Sequence, residues 1–438
     1  MPNSKSTCTA RAWWTLAVLS SLYVLSFIDR LILALLVAPL RSDLGLSDVQ
    51  LGLLFGPTFG VFYAVLGLPL ARFADQGNRR RLIVSGVVLW GLSTIASGFA
   101  ATFAELVMLR IGLAIGEAAL TPTTYSLIGD LFPAHRRALA ASIYSAVGQA
   151  GAYGGFIIGA TVLHLVDSVV TGTSGSAFKS WQLAFFAVGI PSIAVAVVFV
   201  LTTREPPRAS QSAQAPPLRE VGRYLQNTRR LYLGLFGGAG LLQAVSYSWN
   251  AWGPEYIRRE FSWPIQHAGW AFGMAGVIAT SAGTLLIPAI ARRLESRGRP
   301  DAVALTSMGG VIAGSILAIV AVAQSSPIAF LILLAASLFF TAGATNNVVV
   351  AVQTLAPNRM RATLVAGVLI CITLLGLCIG PPATAWMATA ISPQGHGLGL
   401  ALCALTTATA IPCIMLFALG RIGLRERHRA ANSAQASV

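Results

Sequence analysis

The sequence predicts an all-α membrane protein, twelve transmembrane helices in two halves of six. Three observations predict it. Hydrophobic residues make up 55% of the 438 residues and charged ones only 10%, against about 25% charged in a typical soluble chain. The apolar residues fall in runs of about twenty or more, each long enough for a helix to cross the hydrocarbon core of a bilayer. One long hydrophilic stretch, Arg204 to Arg230, divides the runs six and six. With a mean hydropathy of +0.72, a soluble enzyme, a disordered tail and a secreted module are excluded.

The first span, 13–40, follows Lys5 and Arg11 and superficially resembles a signal peptide. It is too long for a signal h-region and no small-residue cleavage site follows it, so it reads as a retained helix. The next five are 49–71, 82–102, 105–132, 138–166 and 181–203. The divider opens with Glu205-Pro206-Pro207, is rich in Ala, Ser and Gln, and contains Pro216-Pro217. Six more spans follow, at 231–254, 268–291, 302–324, 327–355, 362–390 and 397–420. The expected organisation is an N-terminal bundle over 1–203, a cytoplasmic linker over 204–230, and a C-terminal bundle with a cytoplasmic tail over 231–438.

Basic residues set the orientation. The termini and the even-numbered gaps hold 24 of the 30 Lys and Arg, while the odd-numbered gaps hold only Arg41, Lys179, Arg258 and Arg259. Both termini are therefore expected in the cytoplasm, which requires an even number of spans and fits the inner membrane. The net charge of +15 would suggest nucleic acid only if the basic residues shared one soluble face. They lie between apolar runs instead, so the expected surroundings are membrane lipids, with a small-molecule substrate and protons as partners, no nucleic acid, and a monomeric state.

A repeat crosses the divider. Pro133, Arg137 and Ala138 precede span five as Pro357, Arg361 and Ala362 precede span eleven, each pair offset by 224 residues. A repeat of six spans points to alternating access around a midplane site. Enzyme and pump readings find no motif: Lys5 and Lys179 are the only lysines and neither belongs to a phosphate-binding loop. The five cysteines, Cys8, Cys371, Cys378, Cys403 and Cys413, lack paired spacing and read as small hydrophobes. No metal, cofactor or enzymatic activity is expected.

Four ionisable residues sit well inside spans: Asp29 and Arg30 in span one, Arg110 and Glu117 in span four. A charge at the bilayer centre costs at least about 2.5–3.5 kcal/mol, so such groups face the interior and pair. At 1.5 Å per residue, Arg30 and Glu117 fall at one depth, with Asp29 beside them and Arg110 two turns nearer the outer surface. The group reads either as a proton site, in which a carboxylate changes proton affinity when its arginine moves away, or as a permanent tie between spans. In the turn from Ala71 to Arg81, Gly77-Asn78 are expected to supply positive φ, and Asp75 to cap a helix or pair with an arginine. That turn reads as a basic topogenic loop or as a gate. Polar residues recur at helical spacing: Glu117, Thr121, Thr124 and Tyr125; Gln149 and Tyr153; Gln243, Ser246, Tyr247 and Asn250; Thr341, Asn346 and Asn347. Interhelical hydrogen bonds and substrate contacts both account for such stripes.

These residues resemble the major facilitator superfamily, and within it the spinster-like group, over nearly the whole chain. The resemblance rests on Phe27-Ile28-Asp29-Arg30, Gly45-Leu46-Ser47-Asp48 with Gln50-Leu51-Gly52, and Asp75 followed by Asn78-Arg79-Arg80. Its most diagnostic parts are Arg110-x-Gly112, Gly116-Glu117-Ala118 with Pro122, and Asp130-x-Phe132-Pro133 with Arg137. Trp181 with Phe185, Gly189 and Pro191, then Arg204-Glu205-Pro206, complete the first half, and Trp252-Gly253-Pro254-x-Tyr256 marks the second. Gln76 and Ala71 depart from the arginine and glycine usual in the family.

The resemblance implies the major facilitator fold and proton-coupled movement of amphipathic lipids such as lysophospholipids or sphingoid phosphates. On that basis Asp29 and Glu117 are the expected proton carriers and Arg30 their switchable partner. Asp75, Arg79, Arg137 and Arg361 form the expected cytoplasmic gate. Arg110 is the expected anchor for an anionic head group, with Thr121, Tyr125, Gln149, Tyr153, Gln243, Ser246, Tyr247, Asn250, Asn346 and Asn347 as further contacts. The organic-anion symporters, which also carry Asp-Arg in helix one, are the alternative, and a non-transporting receptor on the same fold is the rival from another class.

Overall fold

The computed structural model describes residues 4–172, 177–207, 217–357, 359–392 and 397–436, and every regular element among them is helical. In order these are α1 (Ser4–Leu35), α2 (Val37–Leu44), α3 (Asp48–Phe55), α4 (Pro57–Gln76), α5 (Arg79–Ser97), α6 (Phe103–Ala118), α7 (Leu120–Leu131), α8 (Ala134–Gly172) and α9 (Ser180–Thr202). Then follow α10 (Leu218–Asn227), α11 (Arg229–Phe261), α12 (Ile265–Ser296), α13 (Ala302–Val322), α14 (Pro327–Leu355), α15 (Arg361–Ile391) and α16 (Leu398–Ala436). Among the described residues, nine helical stretches are long and apolar enough to cross a membrane.

Three of the expected spans are each built from two helices. Span two breaks at Gly56 because Pro57 has no N–H for the Leu53 carbonyl. The Thr58 hydroxyl takes over, donating to the carbonyls of Leu53 at 2.9 Å and Leu54 at 3.0 Å. Span four breaks at Ala119, three residues before Pro122, which leaves the Ala118 carbonyl without its helical donor. Span one breaks at Leu36, whose N–H turns back to Leu33 at 3.0 Å in a tighter turn. The breaks in spans one and four lie within about two turns of Arg30 and Glu117.

The segment Gly45–Gln50 has a local cause at each position. Gly45 ends α2 with φ +64°, a left-handed conformation that glycine adopts without strain. Ser47 caps α3 in a reciprocal box with Gln50, and Asp48 accepts both Nη atoms of Arg259 at 3.2 Å. At Gly77 the expectation fails. Its φ is −96° and that of Asn78 is −80°, so neither is left-handed. Asn78 instead caps α5 by accepting from the Arg81 N–H at 2.8 Å. A side chain at Gly77 would meet the Phe73 carbonyl oxygen at 2.9 Å, so glycine serves close approach there.

The 224-residue repeat recurs in backbone geometry. The Arg136 N–H donates to Pro133 and the Met360 N–H to Pro357, both at 2.9 Å. The chain divides into two compact units, Met1–Ser212 with Ile257–Val277, and Ala213–Tyr256 with Ile278–Val438. In the first, α1 packs on α8 and α9, and α5 on α6 and α9. Gly86 and Gly116 let α5 and α6 touch, since a Cβ on Gly86 would lie 2.6 Å from the Gly116 carbonyl oxygen. In the second, α13 packs on α14 and α16 around Val311, Val348, Val352, Leu364 and Phe417. The amphipathic helix α10, unexpected from a proline-flanked linker, seats Val221 in that same core beside Leu231 and Leu424. Leu92, Met108, Ile190, Leu285, Ile332 and Trp386 are exposed, the surface a lipid-facing chain requires.

Candidate functional site

Within the first unit, α1 and α6 bring two charges together, Glu117 buried and Arg30 half-buried. Arg30 Nη2 lies 2.5 Å from Glu117 Oε2, and the Glu117 side chain is 1% exposed. The guanidinium sits over the rings of Phe59 at 4.3 Å and of Phe27 and Tyr63, both at 5.3 Å. Aromatic faces attract a cation electrostatically, more so when water is excluded. Glu117 Oε1 has no hydrogen-bond partner among the described residues. The carboxylate is therefore bonded to its arginine through one oxygen only.

The sequence reading set Asp29 beside this pair; in the structure it stays within electrostatic reach of Glu117, but its side chain bonds to another helix. Successive helical residues point about 100° apart, so Asp29 faces α5 and α9. Ser192 Oγ donates to its Oδ2 at 3.1 Å, Thr94 lies beside it, and Oδ1 has no hydrogen-bond partner among the described residues. Arg110, expected to anchor a head group, is buried, and its guanidinium is turned toward backbone oxygens. Nε reaches Leu54 at 3.4 Å, Nη1 reaches Asp29 at 3.4 Å and Nη2 reaches Arg30 at 3.3 Å. It braces the α1 backbone where the two charged side chains diverge.

Thr121 lies among three phenols, those of Tyr23, Tyr63 and Tyr144. Tyr23 and Tyr144 stack at 4.7 Å. Gly148 permits it, because a Cβ there would fall 2.1 Å from the Tyr23 ring. Tyr125 crosses Tyr144 edge-on at 5.5 Å and shares a 2.6 Å hydrogen bond with Ser145. Gln149 is exposed. Tyr153 is buried against Phe272 at 5.7 Å and against Gly276, a packing position.

In the second unit the polar stripes are largely engaged with neighbouring helices. Asn347 Nδ2 donates to Thr306 Oγ1 at 2.9 Å and to the Val303 carbonyl at 3.2 Å, which ties α14 to α13. Asn346 Nδ2 donates to the Thr284 carbonyl of α12 at 2.9 Å. Gln243 and Tyr247 pack on Gly376 of α15, and Ser246 is buried. Asn250 Oδ1 has no hydrogen-bond partner among the described residues.

Of the expected gate, Arg79 is 2% exposed and fully committed within the first unit. Its Nη1 lies 2.5 Å from Asp130 Oδ2, its Nε 2.8 Å from Glu205 Oε1, and its Nη2 3.2 Å from the Pro206 carbonyl. The Glu205 carboxylate also accepts the Arg80 N–H at 2.8 Å. Burial disfavours the charged guanidinium, but Glu205 and Asp130 outweigh it and hold Arg79 above the ordinary arginine range. Arg79 clamps the ends of α5, α7 and α9. Arg137 donates to the Phe132 carbonyl at 2.9 Å, Arg361 begins α15 in an exposed position, and the Asp75 side chain lies outside the described residues.

Sequence reasoning missed several of these residues. The aromatic bed of Arg30 carried a signal in the i, i+4 pair Phe59–Tyr63 and in Phe27 one turn before Arg30. Ser192 and Thr94 carried no signal, since single hydroxyls are common in membrane helices. Glu255 is fully buried in α11; it falls one residue past the expected end of span seven and so counted as terminal.

Residues 19–381 match the Major Facilitator Superfamily. An MFS-type efflux pump of Mycolicibacterium smegmatis is 27% identical over 66% of this chain and 64% of its own. The protein spinster of Drosophila melanogaster is 24% identical over 59% of this chain and 41% of its own. The chain thus spans less than two thirds of the length of these curated relatives. A solved bacterial homolog of the human lysosomal transporter Spinster, in an inward-facing and unoccupied conformation, superposes with a TM-score of 0.79. It is 26% identical, with 97% of this chain and 98% of that one covered.

Proposed function

We propose, from the premise that this chain belongs to the Major Facilitator Superfamily, that it moves an amphipathic small molecule across the inner membrane by alternating access coupled to protons. Arg30 and Glu117 form the coupling pair, and the observation that carries this is their contact. Two residues 87 positions apart meet at 2.5 Å in a part-buried contact, and one oxygen of the buried carboxylate has no hydrogen-bond partner among the described residues. Protonating Glu117 removes the anion that holds Arg30 and frees its guanidinium for an anionic head group. Asp29, with hydroxyl neighbours, is a second site where a proton would neutralise an otherwise costly buried charge. With Arg110 spent on backbone oxygens, Arg30 is the head-group anchor. The exposed apolar faces of the helices suit an acyl portion.

A second reading has its own support. A probable sulfoacetate transporter of Cupriavidus necator is 25% identical over 64% of this chain, which favours a small organic anion. Purified protein in liposomes separates the readings. A lysophospholipid and sulfoacetate are each offered under an imposed pH gradient. Gradient-driven movement of the lysophospholipid, lost in Glu117→Gln, is expected. Movement of sulfoacetate alone would favour the organic-anion reading, and no proton-linked flux with either would favour a receptor.

A further inference from the structure

Three elements converge on one corner of the second unit: α10, the start of α11 and the end of α16. Val221 of α10 packs in one core with Leu231 and Leu424, and the Tyr224 hydroxyl lies 3.2 Å from that of Tyr232. α11 and α16 run in backbone contact, since a Cβ on Gly423 would fall 2.6 Å from the Leu231 nitrogen. Residues 218–230 and 421–429 therefore share this corner. They hold eight arginines, with Glu220 and Glu426 as their only carboxylates. Glu426 pairs with Arg230, and Asp301, a third carboxylate, is taken up by Arg421 and Arg425. An excess of five positive charges is left. Arg223, Arg229 and Arg429 are exposed and are in no ion pair among the described residues.

A bias toward basic residues orients a membrane chain whatever their arrangement. Here the arrangement has the shape of a phospholipid. On α16, Ile411, Met415 and Ile422 are exposed, and at about 100° per residue they lie on the same helix face as Arg425 and Arg429. Ile411 and Ile422 are about 17 Å apart along the helix axis, close to half of a hydrocarbon core of about 30 Å. That face is apolar over the depth of one leaflet and basic at the edge that the charge bias assigns to the cytoplasm. Leu233, exposed one turn in from Arg229 and Arg230, repeats the pattern on α11. We propose that this corner binds an anionic phospholipid of the cytoplasmic leaflet, as a resident partner apart from the transported molecule. Arg223, Arg229 and Arg429 hold its phosphodiester, and its acyl chains lie along Leu233, Met415 and Ile422. A planar guanidinium pairs two phosphate oxygens at once, and the excess positive charge favours a net negative lipid over a zwitterionic one.

The test titrates the purified full chain, in neutral detergent, separately with phosphatidylglycerol, phosphatidylcholine and glycerol phosphate. Retained lipid is read by native mass spectrometry and stability by the unfolding midpoint, which a ligand of the folded state raises. Phosphatidylglycerol alone is expected to be retained and to raise the midpoint. Arg229→Gln combined with Arg429→Gln should weaken that retention by about tenfold or more, as the loss of two arginines at a membrane surface should. Arg81→Gln, an exposed arginine of the first unit, should leave it unchanged. Equal retention of phosphatidylcholine, or equal weakening by Arg81→Gln, would mean unspecific attraction to a basic protein and overturns the site. An equal midpoint rise with glycerol phosphate would mean that a phosphate ester suffices without the acyl chains, which refutes a lipid site. Retention lost in Glu117→Gln yet kept in the arginine double variant would place the lipid in the transport site and also refutes it.

Discussion

Asp29 and Arg30 are adjacent in sequence and bond to different helices packed against α1. Arg30 reaches Glu117 of α6 at 2.5 Å, while Asp29 accepts from Ser192 of α9 at 3.1 Å. Breaking a buried pair by removing one partner costs about 3–5 kcal/mol, because the other charge is left buried and uncompensated. Arg30→Met should therefore lower the thermal unfolding midpoint strongly in detergent, and adding Glu117→Gln should recover most of the loss. Equal, additive losses from the two substitutions would mean that the pair is not coupled.

Asp29 should behave in the opposite way. Its hydrogen-bond donor, Ser192, is neutral and Glu117 places a second negative charge near it, so Asp29→Asn removes a costly charge and should leave stability unchanged or raise it. Ser192→Ala deprives the carboxylate of its donor and should cost about 1–3 kcal/mol. In the Asp29→Asn background that cost should fall. A double-mutant cycle on unfolding midpoints measures it, and an undiminished Ser192→Ala effect in the double variant would sink the argument.

The sequence made the meeting of Arg30 with Glu117 legible because depth in a bilayer follows from residue count alone. It left the bonding partners of Asp29 and Arg110 unspecified because depth says nothing about azimuth. Both lie at the expected levels, yet Asp29 turns to α9 and Arg110 to backbone oxygens. The helix breaks were only half legible. Pro57 and Pro122 were visible, but whether a proline bends a membrane helix or divides it depends on what satisfies the freed carbonyl, here the Thr58 hydroxyl. The capping of α3 by Ser47 and Gln50 was locally encoded. Arg79 was not, since its partners Asp130 and Glu205 lie 51 and 126 residues away.

That clamp predicts a contrast within one basic run. Arg79 is buried with two carboxylates, whereas Arg81 is exposed. Arg79→Ala should cost about 3–5 kcal/mol, the penalty for stranding buried charge partners, and Arg79→Lys should recover part of it, since lysine keeps the charge without the planar fork. Arg81→Ala should lie within about 0.5 kcal/mol of the parent, as surface substitutions usually do. Unfolding midpoints of the three variants decide it, and equal effects at both positions would refute the clamp.

The second unit carries a staple of reversed sign, and it fixes a pH dependence. Asp301, just before α13, is 2% exposed and takes Arg421 Nε at 2.6 Å and Arg425 Nη2 at 2.8 Å, both from α16. Burial pushes its carboxyl up, but the two arginines outweigh that and hold it below its ordinary value of 3.8. A folded-state value below the unfolded one means that the staple is complete above about pH 4 and is lost as pH falls further. Asp301→Asn should therefore lower the unfolding midpoint by a constant amount between about pH 5 and 8, and the gap to the parent should close below about pH 4. At neutral pH the same variant should be cut faster by trypsin after Arg421 and Arg425, because the end of α16 loses its tie. A gap that persists unchanged into acid would show that Asp301 acts by shape, with no contribution from its charge.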